Sequence, residues 1–586
     1  MSTPASETPG TEQRPAEGAL AAGPGTARIP GAAGGRRPPA AGAFATAVRR
    51  GDPYVWLTGS ALGLSLLMIA GLVAVILANG LGFFWPRTVV RLTLQDGSVV
   101  QGEIVNREAI PRPGDPEAPE AYRIQVKVGN RDLLGYDFKW VDEADIAARE
   151  APPDVFVVER REYGALIGTP SVLKAGDEVV AEGPEAVWAA LRPLLDEAED
   201  DREAIEEVEK DRIGEINHRI EQARLEERSI DMQAAGNPER DFSPERARVA
   251  RVEEEAQADY RRAQEDLERL YEEAAATYVT FTTPGGEKEL RTLDVFRAYP
   301  ANRLGFFGRA SIYAGRVWEF LADDPRESNT EGGIFPAIFG TVMMVIIMSI
   351  MAVPFGVLAA LYLREYARQG ALVRVVRIAV NNLAGVPSIV FGVFGLGFFV
   401  YFVGGGIDRL FFPEALPTPT YGTGGILWAS LTLALLTVPV VIVAAEEALA
   451  AVPRSMREAS LAAGATKFQT IWRVVLPAAA PGILTGLILA MARGAGEVAP
   501  LMITGVVKLA PNLPVDGFFP FLHLDRKFMH LGFHIYDVGF QSPNVEAAKP
   551  MVYTTTIFLL AIVVLLNLTA IVVRNRLRRK YQTSAF

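Results

Sequence analysis

The chain has 586 residues, 49% of them hydrophobic, a formal net charge of −11 and no cysteine. Disulfides and thiol chemistry are excluded, and the acidic balance gives no support to nucleic-acid binding. No G-x-x-x-x-G-K-[ST] run occurs, so the chain is not its own P-loop ATPase.

Residues 1–48 are rich in Ala, Gly, Pro, Thr and Glu and poor in branched or aromatic apolar residues. Such a segment cannot bury enough surface to offset its ordering entropy and reads as disordered. It is not a signal peptide, because the following apolar run is too long for one. That run, 55–77, is about 23 residues of helix, enough to cross a ~30 Å hydrocarbon core. Arg49 and Arg50 precede it, and Trp56 and Trp85 suit the two interfaces.

Residues 86–333 contain no apolar run of spanning length. The first part alternates like strands around the turn Asp96-Gly97, a hairpin signal, with further strands at 122–128 and 155–159 and a loop at 111–119. From 184 to 276 the apolar residues recur at three- and four-residue steps, broken by a Gly/Asn/Pro-rich stretch near 234–244. This predicts an antiparallel coiled-coil hairpin inserted into a small β-domain, with Arg202 on an otherwise apolar position. Its dense acidic residues read as a solvated face. A strand at 278–282 returns to the β-domain, and 310–321 predicts a short amphipathic helix.

Five more spans follow: 334–363, 375–403, 425–445, 481–505 and 551–573. Pro354 lies inside the second, and Gly385 and Pro387 interrupt the third. Six spans put both ends on one side. Basic clusters at 49–50, 364–377, 454–473 and 574–580 all fall on that side, which the positive-inside rule makes the cytoplasm. The insert 86–333 is then external, and 574–586 is a basic cytoplasmic tail.

The segment 446–480 is amphipathic and polar. Pro453 opens a helix, Gly464 breaks it, and Pro477 is expected to stop its continuation. On pattern alone it is an ordinary loop between spans. The fifth span carries Arg493 and Glu497, four residues apart and so on one helix face, about 20 Å in from Ala480. An ion at that depth costs roughly 3 kcal/mol on insertion scales. The pair is either self-neutralising and structural or an anion-handling site, for which a planar, permanently charged guanidinium is suited. Pro387-Ser388 marks a helix break whose loosened backbone suits a pathway. Asn381 and Asn382 read as hydrogen-bonding amides between helices. His523, His530 and His534 lie in the loop 506–550 and read as surface or packing residues; no Cys or carboxylate pattern completes a metal site.

The order Glu458-Ala459-Ser460, Gly464, Val474-x-Leu476-Pro477 resembles the EAA loop of ABC-transporter permeases, with Ser460 and Val474 as small departures. Arg493-Gly-Ala-Gly-Glu497-Val-Ala-Pro500-Leu, and the earlier Leu383-Ala-Gly-Val-Pro387-Ser388, resemble segments of phosphate-uptake permeases of the PstA type; Val498 stands where Thr is usual. The resemblance covers roughly 334–580 and the first span, and not the insert.

It implies a six-helix membrane protein of the ABC-importer permease type, here with an extra external β-plus-coiled-coil domain, in a bacterial inner membrane. It implies no catalytic residue, metal or cofactor. Glu458, Ala459, Gly464, Leu476 and Pro477 would contact the ATPase, and Arg493, Glu497, Pro387 and Ser388 would line the substrate path. The implied partners are a second, PstC-like permease, two ATP-binding subunits, an external phosphate-binding protein, phosphate and membrane lipid. The rival readings are a permease for sulfate, molybdate or phosphonate, and a membrane-anchored phosphate-response sensor or scaffold that works through its external domain.

Overall fold

The computed structural model describes residues 52–110, 121–326, 329, 331–542 and 545–582. The expected disordered segment 1–48, the Arg49-Arg50 pair and the loop 111–119 lie outside them. Six helices among the described residues are long and apolar enough to cross a membrane, and the chain is a multi-pass membrane protein.

The first span belongs to helix α1 (Asp52–Leu81). Its end is seated on the last span, where the Thr554 hydroxyl donates to the Gly80 carbonyl at 3.0 Å.

Two small sheets follow, and they repeat one plan. β1 (Val89–Leu94), β2 (Val99–Ala109), β3 (Tyr122–Lys127), β4 (Phe138–Asp142) and β5 (Ile146–Glu150) form an antiparallel sheet of order β4-β3-β2-β1-β5. The second sheet comprises β6 (Phe156–Arg160), β7 (Leu166–Ala175), β8 (Glu178–Glu182), β9 (Thr277–Thr283), β10 (Gly286–Arg291) and β11 (Val295–Pro300), in the order β10-β9-β7-β6-β11 with β8 beside β7. In each, the first strand pairs with both second and last, and a 3₁₀ turn (Glu143–Asp145, Thr292–Asp294) leads into the last strand. Each sheet buries its own apolar cluster, around Leu92 and Val126 in one and Phe156 and Phe281 in the other.

The helices α2 (Pro184–Glu206), α3 (Ile213–Gly236) and α4 (Ser243–Ala274) are inserted between strands of the second sheet. A wide turn at Glu207–Arg212 lets α2 run on into α3. Ala223, Ile230 and Val249 pack between α3 and α4 at one end, and Ile216, Ala256 and Ala263 further along. Arg202 is buried because its guanidinium donates to the Leu293 carbonyl at 2.6 Å, in the turn before β11. The hairpin does not stand clear of the membrane part. Arg228 donates to the carbonyls of Glu414 and Leu416, and His218 stacks on Phe518 at 4.6 Å.

Polar contacts help to join the two sheets. Asn130 exchanges two hydrogen bonds with the backbone of Ile167, at 2.9 and 3.1 Å. Asp132, in the one-turn helix Arg131–Leu134, receives Arg160 at 3.1 Å and Lys288 at 2.8 Å. Helix α5 (Phe306–Ala322) then leads to the second span, α6 (Phe335–Tyr366).

The remaining spans are α8 (Ser388–Phe411), α9 (Ile426–Ala451), α11 (Lys467–Gly496) and a last helix, α14 (Val545–Gln582), with the shorter α7 (Ala371–Leu383), α10 (Arg454–Ala462), α12 (Ala499–Thr504) and α13 (Leu531–Phe540) between them. α9 is the most buried span and packs on α6 and α11. Small residues allow that approach. A Cβ added at Gly482 or Gly486 would lie 2.5 Å from the Cβ of Ala448 or Ala444.

Three expectations change here. The predicted third span, 375–403, is two helices: α7 is amphipathic, and the spanning helix starts only at Ser388, because Gly385 and Pro387 end the first. Asn381 and Asn382 are therefore exposed on α7 instead of inside a span. Pro477 does not stop a helix. A wide π-type turn at Ile471–Val475 precedes it, so the missing N–H is absorbed and α11 runs through. Finally, the loop 506–550 contains α13, which buries His530 and His534. Burial pushes both rings down to about 4, so they are neutral at pH 7.

The Asp132 contact gives a stability prediction. Burial raises its carboxyl, but hydrogen bonds from Arg160 and Lys288 outweigh this and hold it at about 2. A carboxyl lowered on folding contributes stability that is complete above its unfolded value near ~4 and is lost as pH falls through about 2. The shift corresponds to about 2 kcal/mol. Asp132→Asn also strands the buried Arg160, and should destabilise the paired sheets by about 3 kcal/mol. Amide exchange of β6 and β7 measures this; unchanged exchange between pH 7 and the acid limb would contradict it.

Candidate functional site

Two regions carry the residues singled out by sequence, and α11 joins them. The first is the turn between α10 and α11. Glu458 and Ala459 are exposed on α10. Gly464 follows at φ +87°, a left-handed conformation that disfavours a side chain, with open space around it. The Thr466 hydroxyl accepts from the Gln469 N–H and the Gln469 side chain accepts from the Thr466 N–H, a capping box that starts α11. Ser460 and Thr470 hydroxyls meet at 2.9 Å across the turn, so the departure at Ser460 has a local partner. Leu476 and Pro477 lie half-buried where α11 enters the bundle.

The outer face of this turn is apolar. Leu461, Phe468 and Trp472 are exposed, and the two rings stack at 6.2 Å. Its inner face is clasped by charge. Arg457 contacts Glu365 at the end of α6 at 3.0 Å and donates to the carbonyls of Val452 and Leu449. Lys467 donates to the Glu365 carbonyl and lies over the Tyr366 ring at 4.8 Å. Arg377 of α7 pairs with Glu446 of α9 at 3.2 Å. Sequence reasoning missed Glu365, Arg377 and Glu446 as partners of this loop. The available signal was an acidic residue standing alone inside the basic cluster 364–377.

The second region is the far end of α11. Arg493 sits in its last turn, and the helix stops at Gly496. Glu497 is extended (φ −78°, ψ 135°), and α12 begins two residues on. The two residues are therefore not on one continuous helix face. They still meet, Arg493 Nε to Glu497 Oε1 at 3.6 Å, both partly accessible. The measure of Arg493 from Ala480 also changes, because α11 begins at Lys467 and Arg493 closes it.

Pro387 and Ser388 form the matching break before α8. Pro387 is exposed and extended, and Ser388 is half-buried at the first turn. The breaks are brought together by one apolar cluster holding Val386, Phe391, Met491, Ala495 and Leu501. α8 and α12 are in direct contact, with a Cβ added at Gly392 falling 2.7 Å from the Pro500 Cα. α13 closes on the same place: a Cβ added at Gly532 would lie 2.7 Å from Val498. His523 is elsewhere, paired with Asp516 at 2.9 Å.

Comparison with known proteins fits this arrangement. The family described as "Binding-protein-dependent transport system inner membrane component" matches residues 352–583. Phosphate transport system permease protein PstA 1 of Mycobacterium tuberculosis is 38% identical over 184 residues, 31% of this chain and 55% of that protein. The probable ABC transporter permease protein YqgI of Bacillus subtilis is 31% identical over 237 residues, 39% of this chain and 74% of that protein. The probable phosphate transport system permease protein PstA of Methanocaldococcus jannaschii is 33% identical over 221 residues, 37% of this chain and 67% of that protein. The chain spans about half the length of the M. tuberculosis relative.

Six apolar helices, a clasped polar turn and paired helix breaks are the frame of a multi-pass membrane protein. The chain belongs to the permease subunits of binding-protein-dependent ABC transporters, and among them to the PstA type.

The clasp is testable by itself. Arg457→Ala removes three charge-assisted hydrogen bonds from a mostly buried group, about 2 kcal/mol locally. Amide exchange across 454–470 should quicken while α9 stays protected. Equal protection in wild type and variant would show that the loop is held otherwise.

Proposed function

We propose that the chain is the permease subunit of an ATP-driven importer of inorganic phosphate in a bacterial inner membrane. It works with a second, PstC-like permease, two ATP-binding subunits and an external phosphate-binding protein. The observation that carries this is the Arg493–Glu497 pair at the break of α11, in a chain whose relatives are named as phosphate transport permeases. A fixed guanidinium there binds two oxygens of the anion at once. Glu497 balances the charge when the path is empty, and Pro387 and Ser388 supply loosened backbone beside it. The ATPase docks on the α10–α11 turn, through Glu458, Ala459 and the exposed apolar side chains, with Gly464 setting the turn and Leu476 and Pro477 carrying the contact into the bundle. Sulfate, molybdate and phosphonate permeases, and a sensor or scaffold, are less favoured because the relatives' names point to phosphate.

The same reading assigns the domains. Residues 1–48 and 574–586 are cytoplasmic, 55–77 cross the membrane, 86–333 are external and 334–573 form the permease. The hairpin is a coiled coil at the outer mouth. It borders a cleft of about 1730 Å³ together with residues 509–518, and its contacts to Glu414, Leu416 and Phe518 support a role in admitting the binding protein.

Arg493→Gln should abolish phosphate uptake while assembly with the ATPase persists, and Arg493→Lys should keep part of it. If the pair is only structural, Arg493→Gln harms assembly, and adding Glu497→Gln restores assembly and uptake together. Uptake recovered in that double variant would overturn the anion-path assignment. Replacing 184–276 by a Gly-Ser linker should weaken productive binding-protein docking, read as a raised half-saturating concentration of loaded binding protein. An unchanged value would leave the hairpin a spacer.

A further inference from the structure

Helix α5 has its polarity reversed. Its charged side chains turn inward: Arg316 reaches Glu159 (Nε to Oε1 2.8 Å), the Tyr299 hydroxyl at 2.6 Å and the Phe84 carbonyl at 3.1 Å. Glu319 pairs with Arg297, and Arg309 bonds Thr88 and the Pro86 carbonyl. The outward positions Phe307, Ser311, Ala314 and Trp318 recur at four, three and four residues, one stripe of the helix, and hold no charge. Phe307 is 87% exposed and Trp318 70%, and Phe306 beside them is 69% exposed. Water is a poor solvent for such a stripe, and turning three ionic side chains inward would be needless if it faced water.

The level of α5 is fixed by its neighbours. Trp85, four residues beyond α1, packs its ring on Phe306 at 5.8 Å and on Tyr313 at 5.9 Å. Phe320 shares a cluster with Phe84, with Ile334 and Ala337 where α6 begins, and with Phe558 of α14. The helix is thus pinned beside the end of α1 and the start of α6, against the side of α14. Aromatic side chains concentrate at that depth, and a helix lying in it buries its apolar face in the headgroup–acyl boundary.

We propose that α5 is an interfacial helix, lying in the headgroup boundary of the bilayer on the side of the two β-sheets, with Phe306, Phe307 and Trp318 inserted. Through Arg316–Glu159 and Glu319–Arg297 it holds the second sheet down against the membrane. The inference goes beyond transport and does not depend on which anion is carried.

The chain is free of cysteine, so single labels can be placed at will. Phe307→Cys and Trp318→Cys, each carrying an environment-sensitive fluorophore, are placed as full chain in phosphatidylethanolamine–phosphatidylglycerol nanodiscs. Ala314→Cys, which changes little volume, carries the same test if either aromatic replacement disturbs folding. A lipid with a nitroxide at the top of its acyl chain should remove most of the fluorescence at all three, and one with the nitroxide at the chain end much less. A label at Val179→Cys on β8 should stay bright with both. Bright labels at 307, 314 and 318 with both lipids would overturn the proposal. So would shielding that appears only when the second permease is added, since the stripe would then be a protein contact.

Discussion

The contact between α9 and α11 governs how the rest of the membrane part works. Gly482 and Gly486 let α11 lie against Ala444 and Ala448 at a distance no larger residue permits. In lipid there is little hydrophobic drive between helices, so close packing of small residues does the work of association. It fixes α11 along the most buried span of the bundle. α11 has 30 residues, about 45 Å of helix. One end is the turn clasped to Glu365; the other is the break holding Arg493 and Glu497. The region proposed to meet the ATPase and the region proposed to meet the anion are thus two ends of one rod, held midway by α9.

Outside the bundle, charge is added to packing. Each sheet has its own apolar cluster and the two share a third, where Val89 of the first packs on Val157, Ile167 and Tyr299 of the second; polar contacts add to this joint, Asn130 on Ile167 and Asp132 between Arg160 and Lys288. The link from the second sheet to α5 runs through Glu159. Burial alone would raise this carboxyl, but the guanidiniums of Arg316 and Arg297 hold it below the usual range. Buried ion pairs add little net stability yet are costly to break singly, so they favour one geometry over many. That suits a domain whose strands alone could rest at several angles to the bilayer. Its hairpin then reaches back to Glu414, Leu416 and Phe518, so the insert is braced at its base and at its tip.

Much of this was legible because the apolar runs of a membrane protein are long and uniform. Each of the six spans was found, and their number placed the insert and the loops it touches on one side. The errors fall at prolines and glycines. Pro477 read as a stop because a proline in a helix removes a bond; the wide turn at Ile471–Val475 that absorbs it has no sequence signature. Pro387 read as an interruption within a span because its flanks are apolar, although Arg374 and Arg377 already mark the preceding helix as amphipathic. The repeat of the two sheets was hidden by the helices inserted into the second copy. Arg202 looked like a flaw in a seam until the Leu293 carbonyl supplied its partner. Glu365 and Glu446 could not be matched to Arg457 and Arg377, because pairing across helices depends on tertiary geometry that spacing does not encode.

The break at Gly496 has an electrostatic consequence under the proposed function. In a continuous helix, Arg493 and Glu497 would sit one turn apart and could pair tightly. Here Glu497 has left the helix and the contact is 3.6 Å, longer than the 2.7–2.9 Å of a strong charge-assisted bond. Arg493, in the last turn, also lies at the negative end of the α11 dipole, worth about 0.3–1 kcal/mol to a cation. The guanidinium is therefore stabilised by groups that do not occupy its hydrogen-bonding edge. An incoming oxyanion can take that edge without first breaking a strong bond. It can also leave again, because Glu497 remains within reach to restore neutrality. A tighter pair would exclude the anion, and a lone arginine would hold it too long.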